Sequence, residues 1–174
     1  AQLKPADEEL DRYMYWFTKR KLEENGYIHY EISNFAKKGF ESKHNVDCWT
    51  QKEYLGFGIA ASSYENKVRY SNISNIEKYI ENINNNEFNK NVKIEEKQDK
   101  QTEMNEYIIL GLRKLDGVSI KEFEKKFNQN PLELYRLKLY KLLYRELIVL
   151  TGDEKIQLTD KGLNVANIVW EEFI

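Results

Sequence analysis

The side chains best suited to chemistry lie between residues 30 and 58. His44 and Cys48 are four residues apart, so on a helical turn they would share a face. Imidazole and thiolate are both ligands of haem iron, and the pair could therefore hold a metal ion or a haem. The alternative is a loop histidine bonded to backbone and a small buried cysteine, which is the usual environment of a free thiol.

Other polar and aromatic residues surround this pair. Glu31 lies within a predicted strand, where a carboxylate must be paired, bind a ligand or lie at the rim of the fold. Trp49 and Tyr54 could line a flat aromatic ligand. Gly56 and Gly58 have no third glycine or helix start after them, so they indicate close packing rather than a nucleotide site.

The composition excludes several classes of protein. The chain has 174 residues, 41% hydrophobic and 32% charged, with a net charge of −2, which favours a soluble globular protein with no general attraction to nucleic acid or anionic membranes. A single cysteine excludes an internal disulfide and any cysteine-only zinc or iron–sulfur site within this chain. No apolar run is long enough to span a bilayer, so we predict a cytoplasmic protein without a membrane span.

The first elements predict an incomplete α/β unit. Residues 5–25 have the periodicity of a helix, with Pro5 at its first position and Gly26 after its end. A strand at 27–32 follows at once, as in the second half of a βαβ unit. Because one such half cannot bury both faces of its strand, we predict that residues 1–35 are the edge of a larger α/β domain.

The next segment is predicted to run through two strands and a helix to a linker. Residues 54–63 are predicted as a strand, and a turn at Asn66 leads into another. A helix is predicted at 73–83 and a charged linker at 87–101. The sequence thus predicts one unit at 1–100 and another at 101–174.

The second unit has the order of elements of a winged helix. A helix at 104–112 is followed by one that Ser119 caps, with Glu122 as its capping-box partner. A third helix at 131–146, a hairpin around Gly152 and a closing helix complete the set. The third helix, where a winged helix would contact DNA, is only mildly basic, which argues against nucleic-acid binding.

The motifs, taken in order, resemble those of one family. The chain is similar to radical-SAM proteins of the oxygen-independent coproporphyrinogen III oxidase-like group, and most of all to their haem-chaperone branch, in Tyr30-Glu31-Ile32-Ser33-Asn34-Phe35-Ala36, Ser42-Lys43-His44-Asn45, Trp49 and Tyr54-Leu55-Gly56-Phe57-Gly58. Leu158-Thr159 and Gly162 match the end of that family's C-terminal helical domain. The resemblance implies an α/β fold of mixed α+β character: the last helix–strand unit of a radical-SAM partial TIM barrel, followed by a winged-helix-like C-terminal domain.

The resemblance also implies cofactors and a site. A full-length relative would hold a [4Fe–4S] cluster and S-adenosylmethionine on a three-cysteine motif that this sequence lacks, so this chain alone is not expected to cleave S-adenosylmethionine. The branch's haem-associated motif reads His44-Asn45-Val46-Asp47-Cys48-Trp49 here, with Cys48 in place of a tyrosine. It makes His44 a ligand of haem iron, and Asn45, Cys48 and Trp49 cofactor-binding residues. Glu31 and Asn34 would lie at the active end of a barrel strand, with Gly56, Gly58 and Ser62 near the S-adenosylmethionine pocket.

The implied function is haem or porphyrin binding in the C-terminal portion of a haem chaperone, with haem-accepting proteins as partners. One alternative is oxidative decarboxylation of coproporphyrinogen III by the full-length protein. Another is a nucleic-acid or protein-docking winged helix at 102–174. We also expect that the exposed strand edge near residues 1–35 could pair two copies of the chain as a homodimer.

Overall fold

The computed structural model describes residues 7–174, which form nine α-helices, eight strands and a 3₁₀ helix. The first elements are α1 Glu8–Glu24, β1 Ile28–Glu31, β2 Asn34–Ala36, α2 Lys43–Trp49, β3 Ser62–Glu65, β4 Val68–Asn72, α3 Ile76–Asn84, the 3₁₀ helix Phe88–Asn91 and β5 Val92–Lys97. They are followed by α4 Lys100–Gly111, β6 Val118–Ser119, α5 Ile120–Phe127, α6 Pro131–Leu134, α7 Arg136–Tyr144, β7 Ile148–Leu150, β8 Lys155–Leu158, α8 Asp160–Leu163 and α9 Ala166–Glu171. None of the helices in this described range has the length and apolarity needed to cross a membrane.

The predicted helix and strand at the start of the chain are both observed. Asp7 caps α1 by accepting a hydrogen bond from Leu10 N at 2.8 Å, whereas the predicted start at Pro5 lies outside the described residues. Within residues 7–174, β1 pairs with β2 in an antiparallel hairpin, not with the parallel neighbour that a βαβ unit would give it. Strand β2 was not predicted, because three residues are too few to show an alternating pattern.

The central sheet corrects two predictions. It has the strand order β3-β4-β5, and its β3–β4 turn places Asn66 and Lys67 at φ angles of 50° and 63°, as the predicted turn requires. The predicted strand at 54–63 is wrong, since only residues from Ser62 onwards are extended in the sheet. The predicted linker at 87–101 is also wrong. It contains β5, an edge strand that pairs with β4. Most of its side chains are charged and exposed, so the sequence has too little apolar alternation to indicate a strand.

The hydrophobic core lies in the C-terminal part of the chain. Ser119 Oγ accepts a hydrogen bond from Glu122 N at 3.3 Å and so begins α5, as predicted. Phe123 and Phe127 then face inward and are buried. The predicted hairpin is observed as β7 and β8, and β6 pairs with the other edge of β8. Helices, hairpin and closing helix follow the predicted winged-helix order.

Two predicted helices are each observed as two shorter ones. The helix predicted at 131–146 breaks at Tyr135, where the backbone leaves the helical region at φ −107° and ψ 22°. Tyr135 is buried there, and its ring packs edge-on against Phe173 at 5.3 Å between centres. The closing helix breaks at Val165, with φ −136°. At Tyr135 tertiary packing overrides local helical preference.

An ionic network joins the central sheet to the C-terminal core through α4. Glu103 lies within 2.9 Å of Lys67 Nζ on the β3–β4 turn and within 3.3 Å of Lys126 Nζ on α5. One turn further along α4, Glu106 pairs with Arg69 of β4 at 2.6 Å. Burial, the largest single influence, would raise the pKa of Glu103, but its bonds to the two lysines outweigh burial and lower that pKa. The Glu103 carboxylate is therefore ionised at neutral pH and pairs with both lysines.

Glu103→Gln should lower the free energy of unfolding by about 1–2 kcal/mol at neutral pH, because it removes the charge that the two lysines share. Since the folded-state pKa of Glu103 is below its ordinary value of 4.5, its contribution is complete above that pH and is lost as the pH falls through the lower pKa. Urea unfolding at neutral and acidic pH would show the variant and the unchanged chain converging in acid. Glu65→Gln, at an exposed site, is the control, and a difference that persists unchanged in acid would contradict the ionic account.

Candidate functional site

Helix α2 brings His44 and Cys48 together. Ser42 begins it by accepting a hydrogen bond from Asn45 N at 3.3 Å, which places His44 in the first turn and Cys48 one turn later. Cys48 Sγ lies 3.8 Å from His44 Nε2, so the two side chains share a face as their spacing predicts. His44 is exposed, whereas Cys48 is half-buried. An imidazole on a free surface next to a thiol can accept an incoming metal centre.

Burial raises the pKa of the Cys48 thiol, and the neighbouring carboxylate of Asp47 raises it further. The thiolate is the form that ligates metals and attacks electrophiles. Cys48 is therefore held mostly as the neutral thiol at neutral pH, and His44 is the stronger ligand of the pair.

The aromatic surroundings of His44 come from the segment after α2. The ring of Tyr54 meets the His44 ring edge-on, with 6.3 Å between centres. Beyond it the chain forms a loop, so Gly56 and Gly58 do not lie in the predicted strand; that placement was wrong. Gly56 is there because of close packing: a Cβ on it would lie 2.3 Å from the carbonyl oxygen of Ser62. Ser62 is exposed at the first position of β3.

The same loop exposes large apolar side chains towards solvent. The exposed fractions are 56% for Leu55, 87% for Phe57 and 45% for Ile59. Isolated exposed apolar residues are common, but three at alternate positions of one loop form a local apolar edge. This edge follows directly on Tyr54, the residue whose ring contacts His44.

Glu31 is fully buried, and nearby donors satisfy one of its two carboxylate oxygens. Its Oε1 accepts hydrogen bonds from Ser33 N at 3.2 Å and from the side chain of Asn34. Its Oε2 is buried without a hydrogen-bond partner among residues 7–174. The structure therefore places Asn34 against the Glu31 carboxylate and leaves the second carboxylate oxygen without a donor from the described residues. For the part of the chain described, it gives no contact between this pair and His44.

Buried His29 is a structural residue next to this carboxylate. Its ring stacks on Phe35 across the β1–β2 hairpin at 4.2 Å, and its Nε2 lies 3.1 Å from the carbonyl oxygen of Ile32. Burial lowers the pKa of His29, so the neutral ring is favoured. The nearby hydroxyl of Tyr15, whose pKa burial and the charge of Glu31 raise to about 12, donates to the same carbonyl oxygen at 3.1 Å.

Sequence reasoning missed a cluster that we name the Arg113 clamp, formed by Trp49, Arg113 and Trp170. The guanidinium carbon of Arg113 lies 4.3 Å from the centre of the Trp49 ring and 5.0 Å from that of Trp170. Trp49 ends α2, Arg113 follows α4, and Trp170 belongs to α9. Nothing in the local sequence identifies Arg113, because its two partners come from distant parts of the chain.

No group of three or more His, Cys, Asp and Glu side chains is arranged to hold a metal ion within residues 7–174. Cys48 is the only cysteine of the sequence, so the chain cannot itself supply the thiolates of a [4Fe–4S] cluster. The arrangement fits a metal centre that arrives with its own equatorial ligands, such as a haem, better than a bare ion.

Comparisons with known proteins relate the chain to one group. Residues 98–165 match the family model described as the HemN C-terminal domain. Proteins named "Heme chaperone HemW" from Lactococcus lactis and Bacillus subtilis are each 36% identical over 172 residues, which is 99% of this chain and 44% of theirs. The chain thus spans less than half the length of the curated relatives it matches.

A solved structure of coproporphyrinogen III oxidase from Escherichia coli, described as a radical SAM enzyme, has the same fold. The TM-score is 0.73 at 16% identity, over 97% of this chain and 42% of that one. It confirms the predicted fold class, in which helices and sheets are mixed. The predicted resemblance of the chain to the coproporphyrinogen III oxidase-like group, including its haem-chaperone branch, is therefore confirmed.

Proposed function

We propose that this chain is the haem-handling part of a haem chaperone and that His44 is the residue it offers to haem iron. The observation that carries the proposal is the exposed imidazole of His44 on α2, in a chain related throughout its length to proteins named as haem chaperones. Imidazole is a common axial ligand of haem iron. Tyr54 and the apolar edge at residues 55–59 would contact the flat macrocycle.

The same proposal includes the other residues of the α2 region. Asn45, Cys48 and Trp49 would contribute to the haem site, with Cys48 as a weak second ligand because its thiol is held neutral. Glu31 and Asn34, with Gly56, Gly58 and Ser62, would serve S-adenosylmethionine in a longer protein. The [4Fe–4S] cluster of such a protein would need cysteines from outside these 174 residues.

The wider setting belongs to the proposal as well. We propose a cytoplasmic protein with two units that meet near residue 100, which passes haem to acceptor proteins and can pair with a second copy. Support comes from the single unpaired cysteine, which suits a reducing compartment, and from the relatives' printed name.

His44→Ala should weaken haem uptake at least about tenfold and remove the shift of the Soret band, because the protein loses its axial ligand. Loss of a mere second-shell partner already costs metal sites roughly 10–100-fold in affinity. Titration of the chain with haem, followed by Soret absorbance, would measure this change. Lys43→Ala, an exposed neighbour on α2, is the matched control.

Cys48→Ser separates the two candidate ligands. It should leave the Soret shift largely intact, because the Cys48 thiol is held neutral and His44 dominates. Haem uptake that is unchanged in His44→Ala would remove His44 from the account. Uptake lost in Cys48→Ser but kept in His44→Ala would assign the iron to sulfur instead.

A further inference from the structure

The Arg113 clamp contains hydrogen-bond donors that have no acceptor. Nε of Arg113 and Nε1 of both Trp49 and Trp170 are buried without a partner among the described residues. Buried donors are nearly always satisfied in folded proteins, because leaving one unpaired is costly. Three such donors in one cluster indicate that an acceptor group belongs there.

The charge of the clamp is also uncompensated in the described part of the chain. Arg69, the other partly buried arginine of the fold, pairs with Glu106 at 2.6 Å. Arg113 forms no ion pair with any carboxylate of residues 7–174 and interacts instead with two indole faces. The missing acceptor is therefore expected to be negatively charged.

We propose that the Arg113 clamp binds a carboxylate, and that in haem binding this carboxylate is a propionate of the porphyrin. The inference rests on the proposed function. The planar guanidinium presents parallel N–H donors that match both oxygens of a carboxylate. Stacking against two indoles fixes the plane of the guanidinium, so little side-chain freedom remains to be lost when the anion binds.

The clamp and His44 lie at opposite ends of α2. Trp49 follows His44 by five residues, which is about 7.5 Å along the helix axis and about 140° around it. The two side chains therefore leave the helix in different directions. Anchoring of the carboxylate and coordination of iron use different residues, so the two contributions can be measured separately.

The test uses metal-free deuteroporphyrin IX, a dicarboxylate, and its dimethyl ester, which lacks the charges. Fluorescence titration of the chain should show the diacid binding at least about tenfold more tightly than the ester, the difference expected for one charge-assisted pair. Arg113→Gln should reduce binding of the diacid to the level of the ester. Arg136→Gln, which removes an equal charge at an exposed position of α7, should change neither affinity.

Arg113→Lys keeps the charge but loses the fork and the stacking, so it should weaken binding of the diacid nearly as much as Arg113→Gln. If Arg113→Gln fails to fold by circular dichroism, the lysine variant and the comparison of acid with ester decide the matter. Equal affinity for diacid and ester, unaltered binding in a folded Arg113 variant, or no binding of the diacid at all would each overturn the inference.

The proposed role of His44 is tested independently of the role of Arg113. The diacid carries no iron, so its dependence on Arg113 is measured without any coordination by His44. Haem uptake that needs His44 but not Arg113 would leave the proposed function in place and remove the anchor. If binding of the diacid needs Arg113 but haem uptake is unaffected by His44→Ala, the carboxylate site is kept and the proposed role of His44 is removed.

Discussion

The Phe123→Ala variant should unfold with a free energy about 3–5 kcal/mol below that of the unchanged chain. Phe123 is fully buried in the C-terminal core, where its ring lies 4.7 Å from Phe127, 5.7 Å from Tyr107 and 6.3 Å from Tyr135, between ring centres. Truncation removes these contacts and leaves a cavity that α4, α5 and α6 cannot fill without moving.

Urea unfolding followed by circular dichroism would measure the loss. The matched control is Phe57→Ala, because Phe57 is 87% exposed on its loop and its truncation should change stability by less than about 0.5 kcal/mol. Equal losses in the two variants would mean that the core is not where the structure places it.

The Gly162→Ala variant should lose about 3 kcal/mol of stability, at the upper end of what overpacking usually costs. A Cβ at this position would lie 1.9 Å from the carbonyl oxygen of Leu147 and 2.9 Å from its carbonyl carbon. That carbonyl oxygen also accepts a hydrogen bond from Thr159 N at 3.1 Å. Relief of the clash would therefore push α8 away from Leu147, the residue just before β7.

Thermal or urea unfolding would detect this loss against Gly152→Ala, since nothing lies within 4 Å of a Cβ at Gly152. The control should stay within about 0.5 kcal/mol of the unchanged chain. A Gly162→Ala chain as stable as the control would contradict the close approach of α8 to Leu147.

Local signals predicted the elements whose cause is local. The capping of α5 by Ser119, the turn at Asn66 and the shared face of His44 and Cys48 each depend on a few neighbouring residues, and each is observed. The break at Tyr135 was not predicted, because Tyr135 packs there against Phe173, which lies far along the chain.

The site was predicted only in part, for the same reason. Periodicity could indicate that His44 is available on a helix, and the rarity of a carboxylate in a strand drew attention to Glu31. It could not indicate Arg113, whose significance comes entirely from the indoles that α2 and α9 bring to it. Nor could it show that 92–97 is a strand, because an edge strand can carry mostly charged, exposed side chains and still pair with its neighbour through the backbone.

The position of Glu103 between two lysines couples movements of two parts of the fold. A single carboxylate holds an ammonium group from the β-turn on one side and another from α5 on the other. A displacement of either lysine changes the electric field at the other, so the Glu103 carboxylate couples the central sheet to α5 of the C-terminal core. A ligand that moved α2 and its attached Gln51, which bonds the Glu103 carbonyl oxygen at 3.0 Å, would pull on that coupling directly.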